Sequence, residues 1–155
     1  MSPTSEDWYW EKTWSDFRRG ETRVRLSWEG GEASAVLYDE GTPEIVAAIL
    51  DALPLRVPVV HVAWSGEMVM STTPYALGVD RAENEVRLVR PGDLTWDPQY
   101  GELAFTYGTA EARLPTGSHT LVVYGALTDG HDAFAAYGRA RRFEGAGEIQ
   151  IDRLT

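Results

Sequence analysis

The sequence predicts a mainly β domain, a closed or nearly closed barrel of about eight short strands with one clear internal helix. Three observations predict this fold. Short apolar runs are separated by turns rich in Gly and Pro, only one internal segment has strong helical periodicity, and strands and helices do not alternate as they do in a parallel sheet. The 155 residues, 43% of them hydrophobic, suit one domain with a substantial core.

Residues 1–20 are unusually rich in aromatic side chains. Trp10, Trp14 and Phe17 recur at helical spacing, which predicts an N-terminal aromatic helix or arm ahead of the barrel domain at 21–155. So many aromatic side chains seldom stay exposed without a purpose. The segment is therefore expected to dock on the domain, to cover a pocket as a lid, or to join two copies in a homo-oligomer.

Strand-like alternation begins after this segment. Val24, Leu26 and Trp28 alternate with polar residues, and the Gly30-Gly31 pair predicts a hairpin turn into a return strand at about 33–38. Further strands are predicted at 57–64, 67–71, 85–89, 102–107, 119–125 and 148–154, with Gly-containing turns between several of them.

Residues 42–53 form the clearest internal helix of the sequence. Thr42 is placed to cap it, Pro43 occupies the first helical position, and Pro54 ends it. Its apolar side chains recur on one face, so they are assigned to the core and to no chemistry: Ile45, Val46, Ile49, Leu50 and Leu53.

Composition excludes several function classes. The formal net charge of -10 argues against nucleic acid and against anionic membrane surfaces as partners. No apolar run approaches the roughly 18 residues of a membrane span, and no signal peptide is visible, so a soluble cytoplasmic protein is expected. The absence of cysteine excludes thiolate chemistry, and His119 and His131 lack the spacing of metal ligands. No metal and no cofactor is predicted.

Three segments carry a resemblance to a known family: GTPEI…LDALP (41–54), AWSGEMV (63–69) and GDLTWDPQYGELAFTYG (92–108). In order and spacing they resemble small bacterial proteins with a cyclophilin-like barrel, a family largely without assigned function, over most of the chain after residue 23. The resemblance implies an eight-stranded barrel closed by helices, with a side pocket, and it does not imply prolyl isomerase activity. Cucumopine synthase is similar to members of this family and joins an amino acid to a keto acid by a Pictet–Spengler-type ring closure. The resemblance thus implies a precedent for condensation chemistry without a cofactor.

The stretch HVAWSGEMV, residues 61–69, places polar groups in apolar surroundings. Interpreted as one barrel strand that bends at Gly66, it puts Glu67 at the mouth of a pocket. It leaves His61 in the wall, about 20 Å away along the extended chain, too far for the two to form an acid–base pair. A carboxylate beside an apolar run can serve as a general acid or base.

Glu67 and Tyr107 are the predicted catalytic residues. Glu67 would move a proton, and the Tyr107 phenol would hydrogen-bond a carbonyl or imine of the substrate. Seven more side chains are predicted to bind the ligand, although several also have a structural explanation in the core or in a turn: His61, Trp64, Ser65, Tyr75, Asp93, Trp96 and Phe105.

The sequence therefore favours a cofactor-free enzyme that uses general acid–base catalysis on a small amine- or carbonyl-bearing metabolite. The expected chemistry is cyclisation or condensation of the Pictet–Spengler kind, or a lyase reaction. Two alternatives belong to other classes: a non-catalytic module that binds a small metabolite, and a structural protein that oligomerises through its N-terminal helix.

Overall fold

The computed structural model describes residues 17–79 and 83–154. Within these ranges the chain forms eleven strands and two helices. They are β1 Thr22–Trp28, β2 Gly31–Leu37, α1 Pro43–Ala52, β3 Leu55–His61, β4 Gly66–Ser71, β5 Glu85–Val86, β6 Asp93–Trp96, β7 Leu103–Ala110, β8 Arg113–Leu114, β9 Gly117–Ser118, β10 Leu121–Asp129, α2 His131–Glu144 and β11 Gly147–Arg153. The predicted N-terminal aromatic helix lies almost wholly outside the described residues.

Eight of the strands pair antiparallel into a closed barrel, in the order β2-β1-β11-β3-β4-β7-β6-β10. The barrel closes where β10 pairs back onto β2, with Gly125 opposite Leu37 and Ala126 opposite Val36. Strand β5 adds to β10, and β8 and β9 form a separate two-stranded ribbon. The predicted mainly β, closed barrel is confirmed. Neither helix of the described ranges is long and apolar enough to cross a membrane.

The barrel interior is filled by alternate side chains of the strands, because successive residues of a strand point to opposite faces. Val57, Val69, Phe105 and Tyr124 belong to this interior cluster and are almost completely buried. Both helices extend the cluster, α1 through its predicted apolar face and α2 through Phe134 and Tyr137.

A second apolar cluster lies on the outer face of the same strands. Met68 and Ala104 come from β4 and β7, Leu121 and Val123 come from β10, and Val62 follows β3. This part of the barrel wall is therefore apolar on both sides, which is unusual for an antiparallel sheet with one face toward water. The outer cluster forms the floor of a groove described below.

Helix α1 begins at Pro43, as predicted, but its N-terminal cap differs from the expected one. The Thr42 hydroxyl donates to the Tyr38 carbonyl at 3.0 Å and makes no capping bond. The Oε1 atom of Glu83 instead accepts the N–H groups of Glu44 and Ile45, at 3.0 and 3.2 Å. A carboxylate can replace the usual cap because the first N–H groups of a helix lack partners and the helix dipole favours negative charge there.

Helix α2 was not among the predicted elements. Its sequence, HDAFAAYGRARRFE, contains few large apolar side chains, so its helical periodicity is weak. The helix packs closely on the barrel through Gly138, where an added Cβ would lie 2.5 Å from Cδ1 of Tyr107. A small residue is needed at this contact, and the large buried side chains of α2 are Phe134 and Tyr137 alone.

The prediction of one bent strand over residues 61–69 is wrong, because the chain reverses there. Strand β3 ends at His61 and β4 begins at Gly66, and His61 lies opposite Val69 in the hairpin. The Val62 N–H donates to the Met68 carbonyl at 3.1 Å. Gly66 has φ +100° and lies so close to the Thr109 carbonyl that a Cβ would be 2.6 Å away. His61 and Glu67 are therefore on neighbouring strands, and the distance of about 20 Å along an extended chain does not apply.

A buried ion pair fixes the beginning of the described chain to the barrel. The Arg18 guanidinium donates to both carboxylate oxygens of Asp93, at 2.9 and 3.2 Å, and to the Tyr38 hydroxyl at 3.3 Å. The two side chains are only 10% and 2% exposed. Removing one partner of a buried ion pair lowers the stability of the fold strongly, because the remaining charge stays buried without its partner.

The substitution Arg18→Ala is expected to lower the free energy of unfolding by about 3–5 kcal/mol, since it leaves the Asp93 carboxylate buried. Urea denaturation measures this, with Arg25→Ala as control. Arg25 forms an exposed pair with Glu32 at 3.8 Å, and its loss is expected to cost at most about 1 kcal/mol. Equal losses for the two variants would contradict the structural role of the Arg18 pair.

The substitution Gly138→Ala is expected to destabilise the protein by about 1–3 kcal/mol, because the new methyl group overlaps the Tyr107 ring. Helix propensity alone predicts the opposite sign, a gain of about 1 kcal/mol. Thermal or urea unfolding distinguishes the two signs. Ala136→Gly, at an exposed position of the same helix, reports the propensity effect by itself.

Candidate functional site

Two groups of polar side chains lie near the β3–β4 hairpin. The first, here called the rim cluster, consists of His61, Glu67 and Tyr107. The second lies in a groove over the outer cluster, here called the outer groove. Its polar and aromatic lining residues are Trp64, Ser65, Asp97, Tyr100, Glu102, Arg113 and His119, and its apolar ones include Val62, Met68, Met70, Ala104 and Leu121.

Hydrogen bonds in the rim cluster determine which tautomer the neutral His61 ring adopts. Its Nδ1 lies 2.7 Å from the Val62 carbonyl and its Nε2 lies 2.7 Å from the Tyr107 hydroxyl. A carbonyl only accepts, so in the neutral ring Nδ1 carries the proton and Nε2 accepts from the phenol. Burial raises the pKa of Tyr107, with the Arg142 charge opposing and the Glu67 charge adding to this effect. The phenol therefore stays protonated at neutral pH and donates to His61.

The rim cluster borders a cleft of about 480 Å³ between the hairpin turn and the end of α2. His61 and Arg142 line this cleft. The Oε1 atom of Glu67 accepts the Thr109 N–H at 2.9 Å, and the Arg139 guanidinium lies 6.0 Å from the centre of the Tyr107 ring. The structure thus brings together the two predicted catalytic residues and His61, but the phenol already donates to His61 and Glu67 already holds a backbone N–H.

The outer groove contains a carboxylate–imidazole pair. Asp97 Oδ2 lies 2.9 Å from Nε2 of His119, and both side chains are about nine-tenths buried. Asp97 Oδ1 accepts the N–H groups of Gln99 and Tyr100, at 2.8 and 3.0 Å. A carboxylate only accepts, so Nε2 of a neutral His119 carries the proton. Its Nδ1 has no hydrogen-bond partner among the described residues, and its lone pair can accept a proton.

The walls of the outer groove are aromatic and apolar. Trp64 and Tyr100 are 42% and 49% exposed, and the Tyr100 and His119 rings lie 6.3 Å apart. The groove itself is small, with about 60 Å³ of open space. A flat ligand would therefore lie against the exposed aromatic faces and extend into solvent.

The remaining predicted ligand-binding residues lie in different environments. Phe105 is completely buried in the interior cluster, and Trp96 is buried with its Nε1 donating to the Tyr75 carbonyl at 3.1 Å. The Tyr75 hydroxyl donates to the Arg56 carbonyl at 3.3 Å. Asp93 is held by Arg18, as described above, and accepts the Arg90 N–H at 2.8 Å. The structure therefore does not bring the nine predicted residues into one site. Trp64 and Ser65 lie in the outer groove, whereas His61, Glu67 and Tyr107 form the rim cluster.

Sequence reasoning missed Asp97, Glu102 and His119. Asp97 follows a buried strand and opens the turn to Glu102, which is a recognisable signal, but His119 is 22 positions away and no local pattern links the two residues. In the part of the chain that the structure describes, no three His, Asp or Glu side chains are grouped as metal ligands.

Residues 24–152 match the model of a family described as proteins of unknown function, DUF3830. The chain belongs to the DUF3830 family. No curated protein matches the sequence. The family assignment agrees with the expected resemblance, which extended over nearly the same residues.

Solved structures similar to this DUF3830 protein share its barrel. McbB, solved in complex with tryptophan, is 22% identical, with a TM-score of 0.67; the alignment covers 84% of this chain but only 44% of McbB. A hypothetical protein of Archaeoglobus fulgidus is 23% identical with a TM-score of 0.58, and covers 88% of this chain and 98% of its own. A cyclophilin-type peptidyl-prolyl cis-trans isomerase of Cryptosporidium parvum is 16% identical with a TM-score of 0.57. Its alignment covers 86% of this chain and 98% of the isomerase. The cyclophilin-like fold is confirmed by these likenesses, which at such identities concern the fold alone.

His61 and His119 are expected to adopt opposite tautomers when neutral, His61 protonated at Nδ1 and His119 at Nε2. The cause is the acceptor beside each atom, the Val62 carbonyl and the Asp97 carboxylate. Nitrogen-15 chemical shifts of the two rings above pH 8 measure this. Two rings in the same tautomer would contradict one of the two hydrogen-bond networks.

Proposed function

We propose that this DUF3830 protein binds a small organic molecule in the outer groove and transfers protons on it without a cofactor. The observation that carries the proposal is the buried Asp97–His119 pair, in which Oδ2 and Nε2 lie 2.9 Å apart. The pair lies beside an apolar floor and two exposed aromatic rings. A concave apolar surface with a few converging polar groups is the usual form of a small-molecule site.

His119 is the group that exchanges the proton. Its Nδ1 accepts a proton from the bound molecule, and the resulting imidazolium is stabilised by Asp97 at Nε2. Asp97 is a positioning residue, because its other oxygen is held by two backbone N–H groups and cannot turn toward a substrate. The proton returns from Nδ1 to the product, so the pair is unchanged after each cycle.

The reaction class that fits is cyclisation or condensation of the Pictet–Spengler kind, or a lyase reaction, on an amine- or carbonyl-bearing metabolite. Each of these reactions removes a proton from carbon or nitrogen and returns one elsewhere, which a single imidazole can do. The tryptophan bound to McbB supports a flat, amine-bearing molecule as a ligand of a related barrel. Trp64 and Tyr100 would stack on such a ligand.

The rim cluster is the second candidate, with Glu67 and Tyr107 in the roles predicted from the sequence. The hydrogen bond of 2.7 Å between Tyr107 and His61, next to the cleft of about 480 Å³, favours it. The outer groove is preferred because Nδ1 of its base has no hydrogen-bond partner in the part of the chain that the structure describes, whereas the Tyr107 proton is already donated to His61. A non-catalytic binding module remains the alternative from another class.

The test begins with a thermal-shift screen of the full chain against amino acids, amines, keto acids and their mixtures. A ligand at 100 times its Kd adds about 2.7 kcal/mol of stability, which is readily seen for a domain of this size. Mixtures that stabilise the protein are then followed for product formation. His119→Gln is expected to lower turnover by about 100- to 10,000-fold, because it removes the proton acceptor.

His61→Gln is the matched control, since it makes the same change in the rim cluster. Turnover that survives His119→Gln but is lost in His61→Gln or Glu67→Gln would overturn the groove and favour the rim cluster. Tight binding without any product in the wild type would favour the binding module.

A further inference from the structure

Glu102, which lines the outer groove, has one carboxylate oxygen without a hydrogen-bond partner among the described residues. Glu102 Oε2 is buried and accepts no hydrogen bond from any residue in the described ranges. Two other buried side-chain oxygens there share this property, those of Thr106 and Tyr124, but neither is a carboxylate and neither residue lines the groove. Leaving a carboxylate oxygen buried without a donor costs more free energy than leaving a hydroxyl, so this atom calls for an explanation.

The other charged groups of the groove each make at least one hydrogen bond within the protein. Asp97 uses one oxygen for two backbone N–H groups and the other for His119. Arg113 donates to Glu111 at 3.3 Å. The buried polar atom of the groove residues that lacks a hydrogen bond is therefore an acceptor, and a ligand satisfies it with a donor group. An ammonium group does so with charge, whereas a carbonyl or carboxylate brings only further acceptors.

The surroundings of Glu102 suit a cation attached to a flat apolar body. Met68 and Met70 supply a soft, adaptable floor, and the Trp64 and Tyr100 rings are largely exposed at the walls. Aromatic rings attract both apolar planes and cations. With about 60 Å³ of open space, the groove admits a small head group while the body rests on the walls.

We propose that Glu102 binds the ammonium group of the ligand, so that the outer groove selects primary amines with an aromatic body over the corresponding alcohols and acids. This inference rests on the proposed function, because it uses the same groove. It narrows the amine- or carbonyl-bearing metabolite to the amine and gives Glu102 a binding role separate from proton transfer at His119.

The experiment compares three probes of nearly equal shape on the full chain: 2-phenylethylamine, 2-phenylethanol and 3-phenylpropionate. Calorimetry or NMR titration gives the Kd of each. The amine is expected to bind about 10-fold or more tightly than the alcohol, as a charge-assisted hydrogen bond predicts, and the acid is expected to bind most weakly. Glu102→Gln is expected to abolish the preference for the amine. Glu32→Gln, the same change on β2 away from the groove, is expected to leave it intact.

The outcomes separate the two proposals. Equal binding of amine and alcohol to the wild type would overturn the ammonium assignment and leave the groove as a site. An amine preference that persists in Glu102→Gln would overturn the role of Glu102. No binding by any of the three probes would count against the groove itself. The comparison among probes uses the wild type, so it stands even if Glu102→Gln fails to fold.

Discussion

Closure of the sheet between β2 and β10 determines how the strands, the core and the two polar sites are arranged. Once the barrel is closed, the two-residue period of each strand assigns every side chain to the interior or to the outer face. A slip of one residue in any strand would exchange the two faces. The interior cluster holds the register in place, because its members come from all eight barrel strands and from both helices.

The same alternation separates the two polar sites. Glu67 is followed by Met68, so neighbouring residues of one short strand serve the rim cluster and the outer groove, respectively. Gly66 makes this possible, since its positive φ and its contact with the Thr109 carbonyl let the hairpin turn tightly before β4 begins. The two sites are thus close along the chain and lie on opposite sides of the wall. Each has one histidine, with its tautomer set by a different kind of acceptor.

Much of the fold could be predicted from the sequence, because period-two patterns and turn residues are local signals. The hairpin of β1 and β2, helix α1 and the closed barrel were predicted on that basis and are confirmed. The sequence does not predict helix α2, because its buried face includes Gly138, which packs against the Tyr107 ring. A glycine at a buried position weakens the helical periodicity of the apolar residues. The Glu83 cap on α1 was missed because it joins residues about 40 positions apart.

The candidate site was less predictable for the same reason. Glu67 and Tyr107 were singled out from local context and do lie near each other, yet the interpretation of 61–69 as one strand obscured the proximity of His61. The Asp97–His119 pair exists only because β6 and the segment before β10 meet on the outer face. Neither residue is unusual in its own neighbourhood, so only the three-dimensional arrangement reveals the pair.

If the proposed function is right, the ligand binds in the outer groove rather than at the rim cluster. The most direct measurement is an amide and side-chain NMR map of the full chain during titration with a ligand found by the thermal-shift screen. The largest shifts are then expected on the Trp64 indole N–H and on the amides of Tyr100, His119 and Leu121. Shifts concentrated instead on His61, Gly66 and Arg142 would contradict this expectation and assign the ligand to the rim cleft.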